Sequence, residues 1–300
     1  MLWVERLERP RLLLAVAVVL QWLTTLAVAL RADVDIRASG WSSVVVLGPV
    51  ACVCVYRIGH RLAGVALGAW MLLVWVATPW LALPLTLASY DVTMRDDALP
   101  LALGLTGEPG YAAGVLLLGA YALLAAPGLS GAAVAGLATG VAVLLVPETL
   151  VFLVPVAVAL VFAWRPRELG AFLVAAAPAL VLAAAWRQPD FGDLSLEVLK
   201  ASFAGLREYF WSQRLLQWLP LAGAIAVGRR SVPLALIVGG WVGTWVAVAA
   251  TRAGTGFEAG EFFRALLPAL PAYVVLAAAL PLLVPTLAAR LGSRARPVEA

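Results

Sequence analysis

A long apolar run from Leu129 to Trp164 is too long to cross a membrane only once. As one helix it would extend about 54 Å, at about 1.5 Å per residue, whereas the hydrocarbon core of a bilayer is roughly 30 Å thick. Pro147 lacks a backbone N–H, and Glu148 interrupts the run with a charge. The sequence therefore predicts two antiparallel membrane helices joined at Pro147, with Glu148 at a membrane face.

The rest of the chain has the same apolar character. Of its 300 residues, 63% are hydrophobic and only 13% are charged, and the mean hydropathy is +0.97. These values exclude an ordinary water-soluble globular domain. The apolar runs are continuous and do not alternate with polar residues, which disfavours an outer-membrane barrel. The composition predicts an all-α, polytopic helical membrane protein.

Apolar runs between charged residues predict about ten membrane spans in a single membrane domain, residues 1–300. A shorter amphipathic segment, about residues 194–211, has apolar side chains at spacings of three and four and is predicted to lie in the membrane interface. It would serve either as an anchor for the next span or as a lid over a lipid-linked substrate. The predicted spans are residues 11–31, 41–56, 62–88, 111–126, 129–146, 149–164, 169–186, 215–228, 231–251 and 265–289.

The charges divide unevenly between the two sides of these spans. With a cytoplasmic N-terminus, the inward segments carry 12 arginines and four acidic residues, and the outward segments carry the other nine basic and 13 acidic residues. The inward side is thus +8 and the outward side −4, in accordance with the positive-inside rule. This pattern predicts a multi-pass protein of a bacterial cytoplasmic membrane with both termini in the cytoplasm. It also explains the net charge of +4 without a nucleic-acid partner.

The chain has almost no residues for histidine-based chemistry. His60 is the single histidine, and it lies between Arg57 and Arg61 on the predicted inward side. A phosphate-binding loop of the Walker type is also missing from the sequence, which disfavours ATP hydrolysis. Outward carboxylates and arginines are therefore the candidates for a functional site.

Asp33 and Asp35, after the first span, are the candidate catalytic residues. A carboxylate beside the membrane can act as a general base toward a sugar hydroxyl, or it can hold a divalent cation that bridges a phosphate. The plainer interpretation is a solvated loop. Secondary acidic candidates occur near Tyr90, with the same two interpretations, and they are Asp91, Asp96 and Asp97.

Glu148 and Arg264 are the other two candidates. A carboxylate between two apolar helices is costly unless it lines a wet cavity or has a partner, so Glu148 is a further secondary acid. Arg264, at the outer end of the last span, could bind a phosphate through two parallel hydrogen bonds. The alternative is that its side chain only reaches the interface from within the membrane.

Three segments together resemble the GT-C superfamily of membrane glycosyltransferases. The run GLATGVAVLLVPETLVFLVPVAVALVFAWRPRELGAFLVAAAPALVLAAAW is similar to the superfamily's sequence of a small-residue helix, a Pro-containing polar break, an apolar helix, an arginine cluster and another apolar helix. The superfamily's helix-Arg/Gly-helix segment is similar to the run VYRIGHRLAGVALGAWMLLVWVATP. Its final span resembles the run FFRALLPALPAYVVLAAAL. The resemblance covers roughly residues 45–186 and 262–285.

This resemblance implies transfer of a sugar, with inversion, from a polyprenyl-phosphate donor to an acceptor at the outer face. An acid of the first outer loop would act as base, and an arginine near the last span would contact the donor phosphate. By position these roles fall to Asp33 or Asp35 and to Arg264. The implied partners are the polyprenyl-phosphate-linked sugar and membrane lipid; a divalent metal is the one cofactor left open.

Two other functions stay open at this point. The first outer loop, residues 32–40, is much shorter than in typical members of the superfamily, which favours a non-catalytic scaffold or subunit of a cell-envelope complex. A lipid or small-molecule transporter is the second alternative. Transporters commonly carry ionisable residues at mid-membrane depth and inverted repeats, and neither is evident in this sequence.

Overall fold

The computed structural model describes residues 10–32, 38–90, 107–187, 189–192, 196–198, 200–201, 204, 214–253 and 267–292. All regular secondary structure in these ranges is helical, without a strand among them. The all-α prediction is therefore confirmed. Most of the predicted interfacial helix, residues 194–211, falls outside these ranges, and it stays a prediction.

The described residues form eleven α-helices and three short 3-10 helices. The α-helices are α1 (Pro10–Ala32), α2 (Ala38–Ala63), α3 (Val65–Tyr90), α4 (Gly107–Ala125), α5 (Leu129–Leu145), α6 (Leu153–Phe162), α7 (Pro166–Trp186), α8 (Arg214–Gly228), α9 (Val232–Ala253), α10 (Leu270–Ala278) and α11 (Pro285–Gly292). The 3-10 helices are Pro147–Phe152, Leu267–Ala269 and Leu280–Leu283.

Five of the helical segments are long and apolar enough to cross a membrane, and they belong to α1, α2, α4, α7 and α9. Five shorter apolar segments lie in the other predicted stretches: Val65–Trp80, Leu129–Leu145, Pro147–Phe162, Trp218–Gly228 and Leu267–Leu283. Apolar helices of this length and number are typical of a polytopic membrane protein.

The centre of the bundle is the apolar segment Leu267–Leu283, which contains α10. Its residues pack against α3, α4, α8 and α9. Leu276, in the middle of α10, is completely buried. The other buried apolar side chains of this segment are Leu267, Pro268, Ala269, Pro271, Ala272, Val274, Val275, Ala278, Ala279 and Leu282.

Small residues allow the closest helix contacts, because a glycine lets two helix backbones approach each other. Gly136 on α5 lies so close to the Phe172 carbonyl oxygen of α7 that a Cβ there would overlap it. One turn later, a Cβ at Gly140 would lie 2.8 Å from the Ala179 Cβ. On α8, Gly223 lies directly against the backbone of Leu276. These contacts fix the α5–α7 and α8–α10 pairs at short range.

The junction at Pro147 joins two helices that do not pack mainly on each other. α5 ends at Leu145, Val146 is extended (φ −135°, ψ 96°), and the 3-10 helix Pro147–Phe152 leads into α6. α5 packs between α4 and α7, whereas α6 packs mainly on α9. The reason is that α7 already covers the glycine face of α5. The two helices joined at Pro147 thus have different neighbours.

The predicted last span, residues 265–289, is not one continuous helix. α10 ends at Ala278, and a 3-10 helix and a bend at Val284 precede α11. Pro281 has no N–H to donate, and the Leu282 N–H donates to the Ala279 carbonyl at 2.9 Å. The indole Nε1 of Trp70 on α3 donates instead to the Ala278 carbonyl at 3.0 Å. Backbone groups freed by proline inside a membrane need such partners.

Two exposed tryptophans mark the ends of α7. Trp164 precedes this helix and is 90% exposed, and Trp186 ends it and is 80% exposed. About 22 helical steps separate them, or roughly 33 Å, which matches the thickness of a bilayer core. Amphipathic aromatic rings favour the two membrane interfaces. A helix of this length is long enough to cross a membrane with one tryptophan at each surface.

Candidate functional site

Arginines collect at one end of the bundle, which we call the arginine end. Arg61, in the last turn of α2, donates from Nη1 to the Leu124 carbonyl at 2.6 Å and from Nη2 to the Ala125 carbonyl at 2.9 Å. α2 and α4 therefore end together, and Arg61 satisfies carbonyls that α4 leaves without helical donors. The described arginines at this end include Arg57, Arg61, Arg165, Arg167, Arg229, Arg230 and Arg290.

The opposite end is organised by an ion pair between α4 and the residue that follows α7. Arg187 Nη1 lies 3.1 Å from Glu108 Oε2 and also donates to the Leu145 carbonyl at 3.1 Å. The start of α4 and the ends of α5 and α7 therefore meet at Arg187. Its charge favours the carbonyl end of α5, and the Glu108 carboxylate favours the N-terminal turn of α4. Each charge is placed where the helix dipoles are complementary.

Glu148 lies three residues after Leu145, in the first turn of the 3-10 helix Pro147–Phe152. Its side chain is only 7% exposed, enclosed by a segment that packs against α5, α6 and α9. Thr149 beside it is buried, and its hydroxyl donates to the Val146 carbonyl at 2.7 Å. The side chain is therefore buried in the bundle and does not project from an exposed turn, and its position at a membrane face stays a prediction. Because the 3-10 helix turns into the bundle, the carboxylate is inside it.

A buried carboxylate is exceptional in this fold. Among the residues whose burial the structure describes, Glu148 is the one buried side chain with a formal charge. The other buried polar side chains are Gln21, Thr24, Thr25, Thr139, Thr149 and Thr251. Keeping a carboxylate out of water is costly, so such residues are typically functional. Glu148 is the described residue with the strongest claim to a functional role.

The remaining predicted site residues lie outside the described ranges: Asp33, Asp35, Asp91, Asp96, Asp97 and Arg264. Two of the described helices, α2 and α4, begin directly after the segments that carry the five aspartates. α2 and α4 end at the arginine end, so both begin at the opposite end, next to the segments 33–37 and 91–106. The assignments of these residues stay predictions.

Sequence reasoning missed the Arg187–Glu108 pair. The two residues are 79 positions apart, and each looks like an ordinary charge flanking an apolar run. The usable signal was that both lie on the predicted outward side with opposite charges. Choosing this pair among all outward acids and bases required knowledge that α4, α5 and α7 are neighbours.

The Arg187–Glu108 ion pair is expected to contribute little to the free energy of unfolding, because its side chains are 54% and 57% exposed. A double-mutant cycle of Arg187→Gln and Glu108→Gln should give a coupling free energy of about 0.5 kcal/mol. It can be measured by unfolding the four proteins with SDS in mixed micelles. A coupling above about 1.5 kcal/mol would contradict the exposed geometry.

Metal-ligand clusters are not found in the part of the chain that the structure describes: three or more His, Cys, Asp or Glu side chains nowhere lie together there. Cys52 and Cys54 are buried side chains of α2 and form no disulfide. Both observations concern the described residues alone, so the acids of the segments 33–37 and 91–106 are not included. No protein-family model, no curated protein and no solved structure matches this chain.

Proposed function

We propose that this chain is a GT-C-like membrane glycosyltransferase that transfers a sugar from a polyprenyl-phosphate donor to an acceptor at the outer face of a bacterial cytoplasmic membrane. In this proposal the ten apolar stretches are ten spans, the arginine end is cytoplasmic, and both termini are on that side. The opposite end of the bundle then faces outward and carries the site.

The buried carboxylate of Glu148 is the observation that supports this proposal most. It lies toward the end where the Arg187–Glu108 pair gathers three helices. The segments with Asp33, Asp35 and Asp91 connect helices at the same end. Glu108, Glu148 and Arg187 thus lie toward one end of an otherwise apolar bundle, and this is the end at which the proposal puts the substrate.

The proposed reaction assigns each candidate a chemical role. Asp33 or Asp35 accepts the proton of the acceptor hydroxyl as that oxygen bonds to the anomeric carbon of the sugar. The bond between the anomeric carbon and the phosphate oxygen breaks, and the polyprenyl phosphate leaves with the electron pair. Arg264 offsets the charge that develops on the phosphate. Glu148 borders the site from inside the bundle.

Burial argues against the transporter alternative. The described residues place exposed charges at helix ends, and their one buried charge is in the 3-10 helix next to the end of α5. Transporters instead commonly keep ionisable groups near the bilayer midplane. A site at one end of the bundle fits a substrate that approaches from one side of the membrane.

The test is transfer of labelled sugar from polyprenyl-phosphate donors in membranes that contain the native chain or single variants at matched expression. Asp35→Asn and Arg264→Ala should abolish transfer, and Glu148→Gln should reduce it at least about tenfold, because each removes a charge from the reacting region. Glu168→Gln is the matched control. This glutamate lies at the arginine end, 3.4 Å from Arg165, and its loss should leave transfer unchanged.

Two outcomes would overturn parts of this proposal. A folded native chain that transfers no sugar from any donor would exclude the enzyme and favour the scaffold. Full activity in both Asp35→Asn and Arg264→Ala would leave the reaction but refute the assigned residues. Equal losses in Glu148→Gln and Glu168→Gln would show that the effect is not specific to the opposite end.

A further inference from the structure

Arg229 and Arg230 in the α8–α9 turn lie against the segment that contains α11, at one corner of the arginine end. Arg229 Nη1 lies 3.3 Å from the Leu283 carbonyl oxygen, and Arg230 Nη2 lies 3.4 Å from that of Ala288. Arg290 follows Ala288 by two residues, and all three arginine side chains are exposed. We call this surface, made by residues 225–231 and 280–292, the α11 corner.

The charge of the α11 corner is not neutralised by its own segments. Residues 225–231 and 280–292 contain three arginines and no acidic residue. α11 also packs on α2 and α3, whose junction carries Arg57, His60 and Arg61 and again no acid. The corner is therefore a concentrated positive surface that is complementary to an anion.

The hydrogen bonds show which arginines can still bind a ligand. Arg61 uses two nitrogens in short bonds of 2.6 and 2.9 Å, so its guanidinium is committed to the end of α4. Arg229 and Arg230 each make one carbonyl contact, at 3.3 and 3.4 Å, beyond the usual N–H···O range. A guanidinium has five N–H donors in a planar arrangement that fits phosphate oxygens. Most of these donors therefore remain for a phosphate.

Apolar side chains lie beside these guanidinium groups. Val284 and Leu287, in the bend and in α11, are 45% and 42% exposed although both are large and hydrophobic. They follow directly after the apolar segment Leu267–Leu283, and this places them where a membrane segment reaches the interface. A soluble anion would leave these side chains uncovered, whereas a lipid acyl chain would cover them.

We propose that the α11 corner binds the headgroup of an anionic phospholipid from the membrane leaflet at the arginine end. Arg229 and Arg230 bind the phosphate, and Val284 and Leu287 pack along the acyl chains. The bound lipid joins the α8–α9 turn to α11. This inference does not depend on the proposed glycosyltransferase activity.

The experiment is native mass spectrometry of the purified full chain, titrated in detergent with phosphatidylglycerol or, separately, phosphatidylcholine. Each arginine near an anionic lipid contributes a factor of about five in binding. Arg229→Gln combined with Arg230→Gln should therefore weaken phosphatidylglycerol binding about twentyfold. The matched control combines Arg165→Gln with Arg167→Gln, which removes the same charge from another turn at the same end and should change binding less than about twofold.

Four results would overturn the proposal. The first is an equal loss of binding in the two double variants, and the second is unchanged binding in the Arg229/Arg230 variant. The third is that the native chain binds phosphatidylcholine as tightly as phosphatidylglycerol. The fourth is that inorganic phosphate displaces the lipid more than chloride does at equal ionic strength. The last would make the anion alone the ligand. If the Arg229/Arg230 variant does not fold, Arg230→Gln alone should lower phosphatidylglycerol affinity about fivefold, and unchanged affinity would refute the site.

Discussion

Gly223→Ala is expected to lower the free energy of unfolding by about 3 kcal/mol, at the upper end of the cost of overfilling a packed core. A Cβ at this position would overlap the carbonyl oxygen of Leu276 and would lie 2.5 Å from its carbonyl carbon and 2.8 Å from its Cα. All three are backbone atoms of α10, so rotation of a side chain cannot relieve the overlap. α8 must move away from the centre of the bundle.

Gly243→Ala is the matched control for this substitution. Gly243 lies inside α9, and a Cβ there would meet nothing within 4 Å. Alanine is the better helix former by about 0.5–1 kcal/mol, so this variant should be as stable as the native chain or slightly more stable. SDS-induced unfolding followed by circular dichroism gives both values. Equal stability of the two alanine variants would refute the α8–α10 contact.

Trp70→Phe is expected to cost about 2 kcal/mol, because the phenyl ring keeps most of the packing but cannot donate to the Ala278 carbonyl. That carbonyl lies where Pro281 interrupts the helix, and the Trp70 indole is its donor at 3.0 Å. Inside a membrane, water does not replace a lost donor as it would at a protein surface. The exposed carbonyl should also let the α10 end open more readily.

Trp186→Phe provides the comparison for Trp70→Phe. Trp186 is 80% exposed at the end of α7, so its replacement should change unfolding by less than about 0.5 kcal/mol. The two variants are compared by SDS unfolding and by hydrogen exchange at Ala279 and Leu282, which should increase in Trp70→Phe alone. Unaltered hydrogen exchange at these two residues would mean that the Trp70 indole does not stabilise the end of α10.

Helix positions in this chain could be predicted because charged residues separate the apolar runs. A described helix occurs in each of the ten predicted apolar stretches. The partners of these helices could not be predicted, since apolar runs of similar hydropathy are interchangeable by composition. α5 is an example. Gly136 and Gly140 indicate a close helix contact, but only the structure identifies Phe172 and Ala179 of α7 as the residues that they contact.

The candidate site was also predictable from the sequence only in part. Glu148 stands out in the sequence because a charge inside a long apolar run is rare. Its burial was not predictable, because the direction of the chain after Pro147 depends on the 3-10 helix and on which face of α5 is already covered. The Arg187–Glu108 pair depends in the same way on three helices being neighbours.

The central position of Leu267–Leu283 constrains how the protein can be made. Ribosomes synthesise about 5–20 residues per second, so roughly 10 to 40 seconds pass between the completion of α3 and that of α10. From its own completion until that of α10, each of α3, α4, α8 and α9 lacks the partner for the face that packs on this segment. These helices must enter the bilayer as a loose assembly, held by lipid or by the insertion machinery. The segment translated after them then completes the bundle, so a ribosome stalled before it would leave the earlier helices accessible to membrane proteases.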